Sequence, residues 1–104
     1  MRINQSITRV FGVLALTLLL AACETAPPVQ EMSDARQAIS VAREAGAADL
    51  AATELAEAER YLQNAEENLD RQQYREARQA ALEAKESAQK ALQVSEASKE
   101  AGGD

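Results

Sequence analysis

Between Ala35 and Ser95 the apolar positions advance in steps of 3 and 4, and twice the phase slips. The first stripe is Ala35, Ala38, Ala42 and Ala45, with Ile39 beside it. A second runs Ala51, Leu55, Ala58, Leu62, Ala65, Leu69, and a third Tyr74, Ala77, Ala81, Ala84, Ala88, Ala91, Ser95. Such steps put a stripe on one face of an α-helix. A continuous coiled coil would hold its heptad phase throughout. Here the step from Leu69 to Tyr74 is 5, and the first stripe reaches Leu55 only by a slip near Gly46. Breaks are therefore expected at 46–49 and 70–73, giving three helices over about 34–45, 51–70 and 73–99. One long bent helix is the alternative.

Local chemistry agrees with the helical reading. Alanine, glutamate, glutamine, arginine and leucine dominate after Ser33, all good helix formers, and no proline follows Pro28. Asp34 with Gln37 fits a capping box, with Ser33 or Asp34 as the N-cap. Short connections make neighbouring helices antiparallel. Leu69 then faces Tyr74, Leu62 lies near Ala81 and Leu55 near Ala88. The expected fold is all-α: an antiparallel helical hairpin with a shorter N-terminal third helix, after a signal peptide and an extended linker. The first helix is expected to fold back along the second and to cover part of the hairpin. The end of the third helix, beyond Ser95, has nothing opposite it and should fray.

The N-terminus reads differently from the rest. Arg2 and Arg9 make a positive segment without acids, and an uncharged apolar run follows from Val10 to Leu20. That run is shorter than the roughly 20 residues a membrane-spanning helix needs. It suits the apolar core of an export signal, usually about 7–15 residues. Small residues Ala21 and Ala22 precede Cys23, the only cysteine. Leu20-Ala21-Ala22-Cys23 resembles the lipobox of bacterial lipoproteins. That resemblance implies cleavage between Ala22 and Cys23 and a diacylglyceryl thioether on Cys23, with the new amine open to acylation. Two acyl chains suffice for stable anchoring at about 0.8 kcal/mol per buried methylene.

The expected organisation is then a signal peptide over 1–22, a lipidated cysteine and proline-containing linker over 23–33, a helical domain over 34–101 and a tail over 102–104. Pro27 and Pro28 favour an extended conformation, so the ten residues 24–33 reach roughly 30 Å at about 3.1 Å each, enough to hold the domain clear of the lipid head groups.

Removing the signal takes away two arginines and no acid, leaving 9 basic against 17 acidic residues, a formal charge of -8. Such a chain repels nucleic acid and anionic lipid head groups, so neither is expected as a ligand of the folded part. From Glu24 onward only 13 large apolar residues occur, so alanine must supply most of the core. Domains of this size rarely gain more than about 3–5 kcal/mol from one core. Glu67 with Arg71 and Glu86 with Lys90 are i,i+4 pairs on solvated faces, each worth about 0.2–0.5 kcal/mol.

Three segments together carry a family resemblance: a helix ending in Ala45-Gly46-Ala47, then Thr53-Glu54-Leu55-Ala56-Glu57-Ala58, then Leu69-Asp70-Arg71-Gln72-Gln73-Tyr74-Arg75-Glu76-Ala77. The stretch from Asp34 to Leu92 resembles the small alanine-rich helical domain of bacterial envelope lipoproteins, a domain of unknown function. The family commonly has a proline opening the second helix and a glycine before the tyrosine; Ala52 and Gln72 stand near those places. Some members continue into an OmpA-like peptidoglycan-binding domain. None is visible through Asp104, and that activity is not carried over. The 69–77 turn also resembles half of a tetratricopeptide repeat, but no 34-residue period is present. The major outer-membrane lipoprotein, a helical trimer joined to peptidoglycan through a C-terminal lysine, differs in its unbroken heptads.

No residue set for catalysis emerges, and the expectation is a non-enzyme without cofactor. Histidine is absent and the one cysteine is assigned to lipid, leaving carboxylates splayed over helix faces with no oxygen-rich loop for a metal. Ser87, Ser95 and Ser98 have only glutamates and lysines near them in sequence. Tyr61 and Tyr74 are the candidates for contact with a partner, because tyrosine is enriched at interfaces. Packing in the turn is the stronger expectation for Tyr74, and Tyr61 is expected to lie half exposed beside the leucine stripe. The function expected is that of a membrane-anchored envelope lipoprotein acting as a structural or interaction adaptor in the periplasm. Its partners are the membrane lipid through acylated Cys23 and an envelope protein or a second copy of the chain. A periplasmic chaperone or holdase, or a modulator of a cell-wall enzyme, are the competing classes. Glu24 follows Cys23, where aspartate often marks inner-membrane retention in enteric bacteria, so the outer membrane is the expected location.

Overall fold

A computed structural model of the chain describes residues 26–102, together with Arg9. The signal peptide, Ala22, Cys23 and the tail residues 103–104 lie outside the described residues. The described chain is helical: α1 Val29–Glu44, α2 Ala47–Leu50, α3 Ala52–Asp70 and α4 Tyr74–Gly102.

Both expected breaks are present, each built on a left-handed residue. Gly46 takes φ +89° after α1, and its carbonyl accepts the N–H groups of Asp49 and Leu50, starting the single turn of α2. Glycine adopts this backbone without a Cβ penalty. The second break uses Gln72, at φ +61°. There the Gln72 N–H donates to the Leu69 carbonyl at 3.0 Å and the Gln73 N–H to the Asn68 carbonyl at 2.8 Å. This pair of bonds closes a helix end around one αL residue and satisfies carbonyls the helix leaves open. It explains why α3 stops without glycine or proline: the turn's hydrogen bonds and the packing beyond it hold Gln72 in a costly conformation.

The start of α1 corrects the linker boundary. The helix begins at Val29, not near Asp34, and Pro28 is its buried N-cap, with its carbonyl accepting the Met32 N–H at 3.0 Å. Proline is tolerated here because the first-turn N–H groups lack helical partners anyway. The expected capping box does not form. Asp34 lies inside the helix, where its carboxylate accepts from Gln30 Nε2 at 2.9 Å. The extra length is secured by Met32, which joins Ala35, Ile39 and Ala42 on the buried face.

α4 is the centre of the molecule. One cluster joins Met32 of α1, Ala65 of α3, and Ala80 and Ala81 of α4. The other joins Ile39 and Ala42, Ala47, Ala51, Leu55 and Ala58, with Ala88 and Ala91. These pairings run α3 antiparallel to α4, and place Leu55 with Ala88 and Leu62 with Ala81 in shared clusters, as the stripes imply. They also run α1 parallel to α4. α1 folds back antiparallel along α3, with Arg36 beside Glu66 and Arg43 beside Glu59, and covers the hairpin as expected, but it packs more extensively on α4 than on α3. The third stripe is wide enough to be shared, because Ala80 is buried beside the Ala77–Ala81–Ala84 row.

Of the 15 buried core residues 12 are alanine, so the helix axes are set near the close end of the usual range of about 8–10 Å. α4 is helical to Gly102, three residues past the expected end, and Ser95 is fully buried with its hydroxyl donating to the Ala91 carbonyl at 2.8 Å. Beyond Ser95 the residues are exposed apart from half-buried Ser98, so the last two turns have little packed against them. α2 joins the same core cluster as Ala88 and Ala91 through Ala47.

Two stability outcomes follow. Ala84→Leu should destabilise the fold by about 1–3 kcal/mol, since the seam has no room for the added atoms. Gln72→Gly should stabilise it: relief of about 1–2 kcal/mol of αL strain outweighs the greater unfolded-state freedom of glycine, about 0.5–1 kcal/mol. Urea unfolding followed by circular dichroism measures both, and opposite signs are expected for the two variants.

Candidate interaction surface

A row of alanines flanked by long polar side chains leaves open troughs beside it. On one side, Ala80 floors a groove of about 540 Å³ between α3 and α4. Its walls are Tyr61, Asn64, Glu67, Asn68 and Arg71 from α3 and the turn, facing Arg75, Glu76, Gln79 and Glu83 from α4. An adjoining groove of about 250 Å³ is lined by Glu57, Tyr61, Glu83, Glu86, Ser87 and Lys90. Tyr61 lines both, half-buried, with the Arg60 guanidinium 5.2 Å from its ring centroid. That geometry is in cation–π range, worth about 0.5–1 kcal/mol at an exposed site.

The groove's size falls in the usual range for ligand sites, roughly 300–1,000 Å³, but its walls are amides and charges where small-molecule pockets are mostly apolar. It suits a polar, extended partner better than a compact apolar ligand. Among the described residues, no three histidine, cysteine, aspartate or glutamate side chains gather as a metal site would need. The Ser95 hydroxyl is tied to its own helix.

The structure does not bring the two tyrosines together. Tyr74 opens α4 at the hairpin tip, half-buried, and does not line the groove that holds Tyr61. Ala22 and Cys23 lie outside the described residues.

Two features escaped the sequence reading. The first is a groove of about 300 Å³ on the opposite side, between α1 and α4, lined by Asp34, Gln37, Ala38, Val41, Lys85, Gln89 and Leu92. Val41, 37% exposed, and half-buried Leu92 are large apolar residues outside the three stripes, and that mismatch was the available signal. The second is a set of ion pairs between helices: Arg36 with Glu66 at 3.4 Å, Arg43 with Glu59, and Arg78 with Glu31 at 3.3 Å. Pairs so distant in sequence leave no local pattern. The expected Glu67–Arg71 and Glu86–Lys90 pairs are absent among the described residues; Glu67 instead accepts from Gln63 Nε2 at 3.4 Å. Exposed pairs contribute about 0–1 kcal/mol each, so their main effect is to fix register. Arg78, the least exposed arginine of the three, also donates to the Ala26 carbonyl at 3.2 Å and so holds the chain just ahead of α1.

Comparison with known proteins gives a family. The profile of the domain of unknown function DUF4398 matches residues 30–102, and the chain belongs to that family. Neither a curated protein nor a solved structure matches it.

Tyr61→Ala should cost less than about 1 kcal/mol, as expected of a ring that serves the surface, whereas Leu55→Ala in the core should cost about 2–5 kcal/mol. Equal losses in thermal unfolding would make Tyr61 a core residue and remove it as an interaction element.

Proposed function

We infer that this chain is a lipid-anchored bacterial envelope lipoprotein whose helical domain acts as a non-catalytic adaptor, facing the periplasm from the outer membrane. The observation that carries the reading is Leu20-Ala21-Ala22-Cys23 placed directly after an uncharged apolar run and a basic N-terminus. No helix among the described residues is long and apolar enough to cross a membrane, and the reading assigns attachment to Cys23 alone. Small residues before the cysteine suit a peptidase cleft, and a thiol is the side chain that can become a thioether.

The adaptor role is supported by what the folded surface offers. Tyr61 stands between two polar grooves, presenting an aromatic body and a hydroxyl to one partner surface. Aromatic residues and arginine are the usual anchors of protein interfaces. Tethering to a membrane raises effective concentration, so a weak contact at Tyr61 gains occupancy without new interactions. The holdase alternative calls for a broad apolar surface. The exposed large apolar residues are instead scattered singly over the described helices: Val29, Val41, Leu50 and Leu82.

Cys23→Ser tests the anchor. Mass spectrometry of the mature protein should show an acylated Cys23 at its N-terminus, and the variant should accumulate as uncleaved precursor. A mature N-terminus elsewhere, with an unmodified thiol on Cys23, contradicts the reading.

A further inference from the structure

We propose that the tip of the α3–α4 hairpin rests on the lipid surface, with Arg71 and Arg75 on lipid phosphates, and that the helices stand up from the membrane. This rests on the reading that Cys23 is acylated. The first observation is where Ala26 and Pro28 are held. The Ala26 carbonyl is held by Arg78, and Pro28 is buried. Only Glu24 and Thr25 separate Ala26 from Cys23. Three residue steps span at most about 11 Å. A linker of some 30 Å is therefore not available to lift the domain clear of the head groups.

The second observation is which end of the bundle this brings down. Arg78 lies one turn into α4, so Ala26 sits at the level of the hairpin turn, and the turn projects past it by about 6 Å, four residues at 1.5 Å. The opposite end of α4, near Ala97, is about 35 Å farther along the helix. The tip is thus the part of the domain that an acyl chain on Cys23 brings to the bilayer.

The third observation is charge and apolarity. The chain is strongly acidic, but not at this end. Residues 26–31 and 69–78 carry Arg71, Arg75 and Arg78 against Glu31, Asp70 and Glu76, a balance of zero. Taken as halves of the bundle, residues 26–36 and 60–82 carry six acids against five bases, and residues 37–59 and 83–100 nine acids against four. Arg78 is engaged with Glu31, while Arg71 and Arg75 are exposed and in no ion pair among the described residues. Val29, the most exposed large apolar residue at 73%, begins α1 at the same end, and half-buried Tyr74 begins α4 there. Arginine with tyrosine and an exposed aliphatic residue suits a membrane interface, where tyrosine is enriched and arginine meets phosphate. The acidic end is left pointing away from the anionic surface, which repels it within a Debye length of about 8–10 Å.

The chain has no tryptophan, so single tryptophans report position cleanly. Tyr74→Trp and Ala97→Trp variants of the full lipidated protein are placed in phosphatidylethanolamine–phosphatidylglycerol vesicles carrying a head-group nitroxide lipid. A parallel arm couples the mature chain through the Cys23 thiol to a maleimide lipid, which supplies the anchor whether or not the cell does. Fluorescence at position 74 should be quenched several-fold more than at position 97 in both arms. Arg71→Glu with Arg75→Glu should weaken quenching at 74 while circular dichroism stays unchanged, and added salt should act in the same direction. Equal quenching at the two positions means the bundle lies flat and overturns the proposal, as does stronger quenching at 97. Quenching at 74 that ignores the arginine reversals and the salt also overturns it, because the anchor and apolar contact alone would then hold the tip down without arginine on phosphate. If the cell-made protein lacks acyl groups while the maleimide arm gives the expected pattern, the anchor reading fails and the geometry stands.

Discussion

Alanine at the contact face of α4 is the constraint on which the rest of the structure depends. Seven residues of that helix are buried, and six are alanine, with Ser95 as the seventh. A seam this smooth offers little apolar area per residue, so stability must come from close axial approach and many small dispersion contacts. It also admits neighbours on two sides, because no large side chain claims the space. α1 and α3 both use it, and the few bulky core residues, Met32, Ile39 and Leu55, fill the corners between helices.

The same smoothness makes the surface features. Where long polar side chains rise from helices that approach closely, the space above a floor alanine such as Ala80 is left as a groove. The grooves with Tyr61, and the one with Val41 and Leu92, are consequences of packing on either flank of α4. Their walls differ in chemistry because α3 places Asn64, Glu67 and Asn68 beside the seam, while α1 places Ala38 and Val41 there.

Much of this was legible in the residue spacing, and the failures have physical reasons. The second and third stripes name the buried faces of α3 and α4 almost residue for residue, because a narrow seam tolerates few exceptions. Tyr61 could be singled out as an aromatic beside the leucine stripe, but the grooves around it require two helices in register. The start of α1 was misread because Pro27-Pro28 suits an extended linker and a helix start alike; only burial of Met32 and Pro28 decides between them. That α1 packs more on α4 than on α3 was not legible, because a seam of small residues does not announce how many partners it serves. α2 was overlooked because a single turn is too short to carry a period of its own.

The account's central claim is that the N-terminal end of α1 lies against the hairpin tip, from which both the packing and the orientation of the domain follow. Pulsed electron resonance between nitroxides on exposed glutamines measures it directly, comparing Gln30 with Gln79 and Gln30 with Gln93. The account predicts a short, narrow distance for the first pair and one roughly 20 Å longer for the second, since 14 residues of α4 separate the two reference sites. A broad, long distance for Gln30 with Gln79 would mean that α1 does not dock at the tip, and would contradict the account.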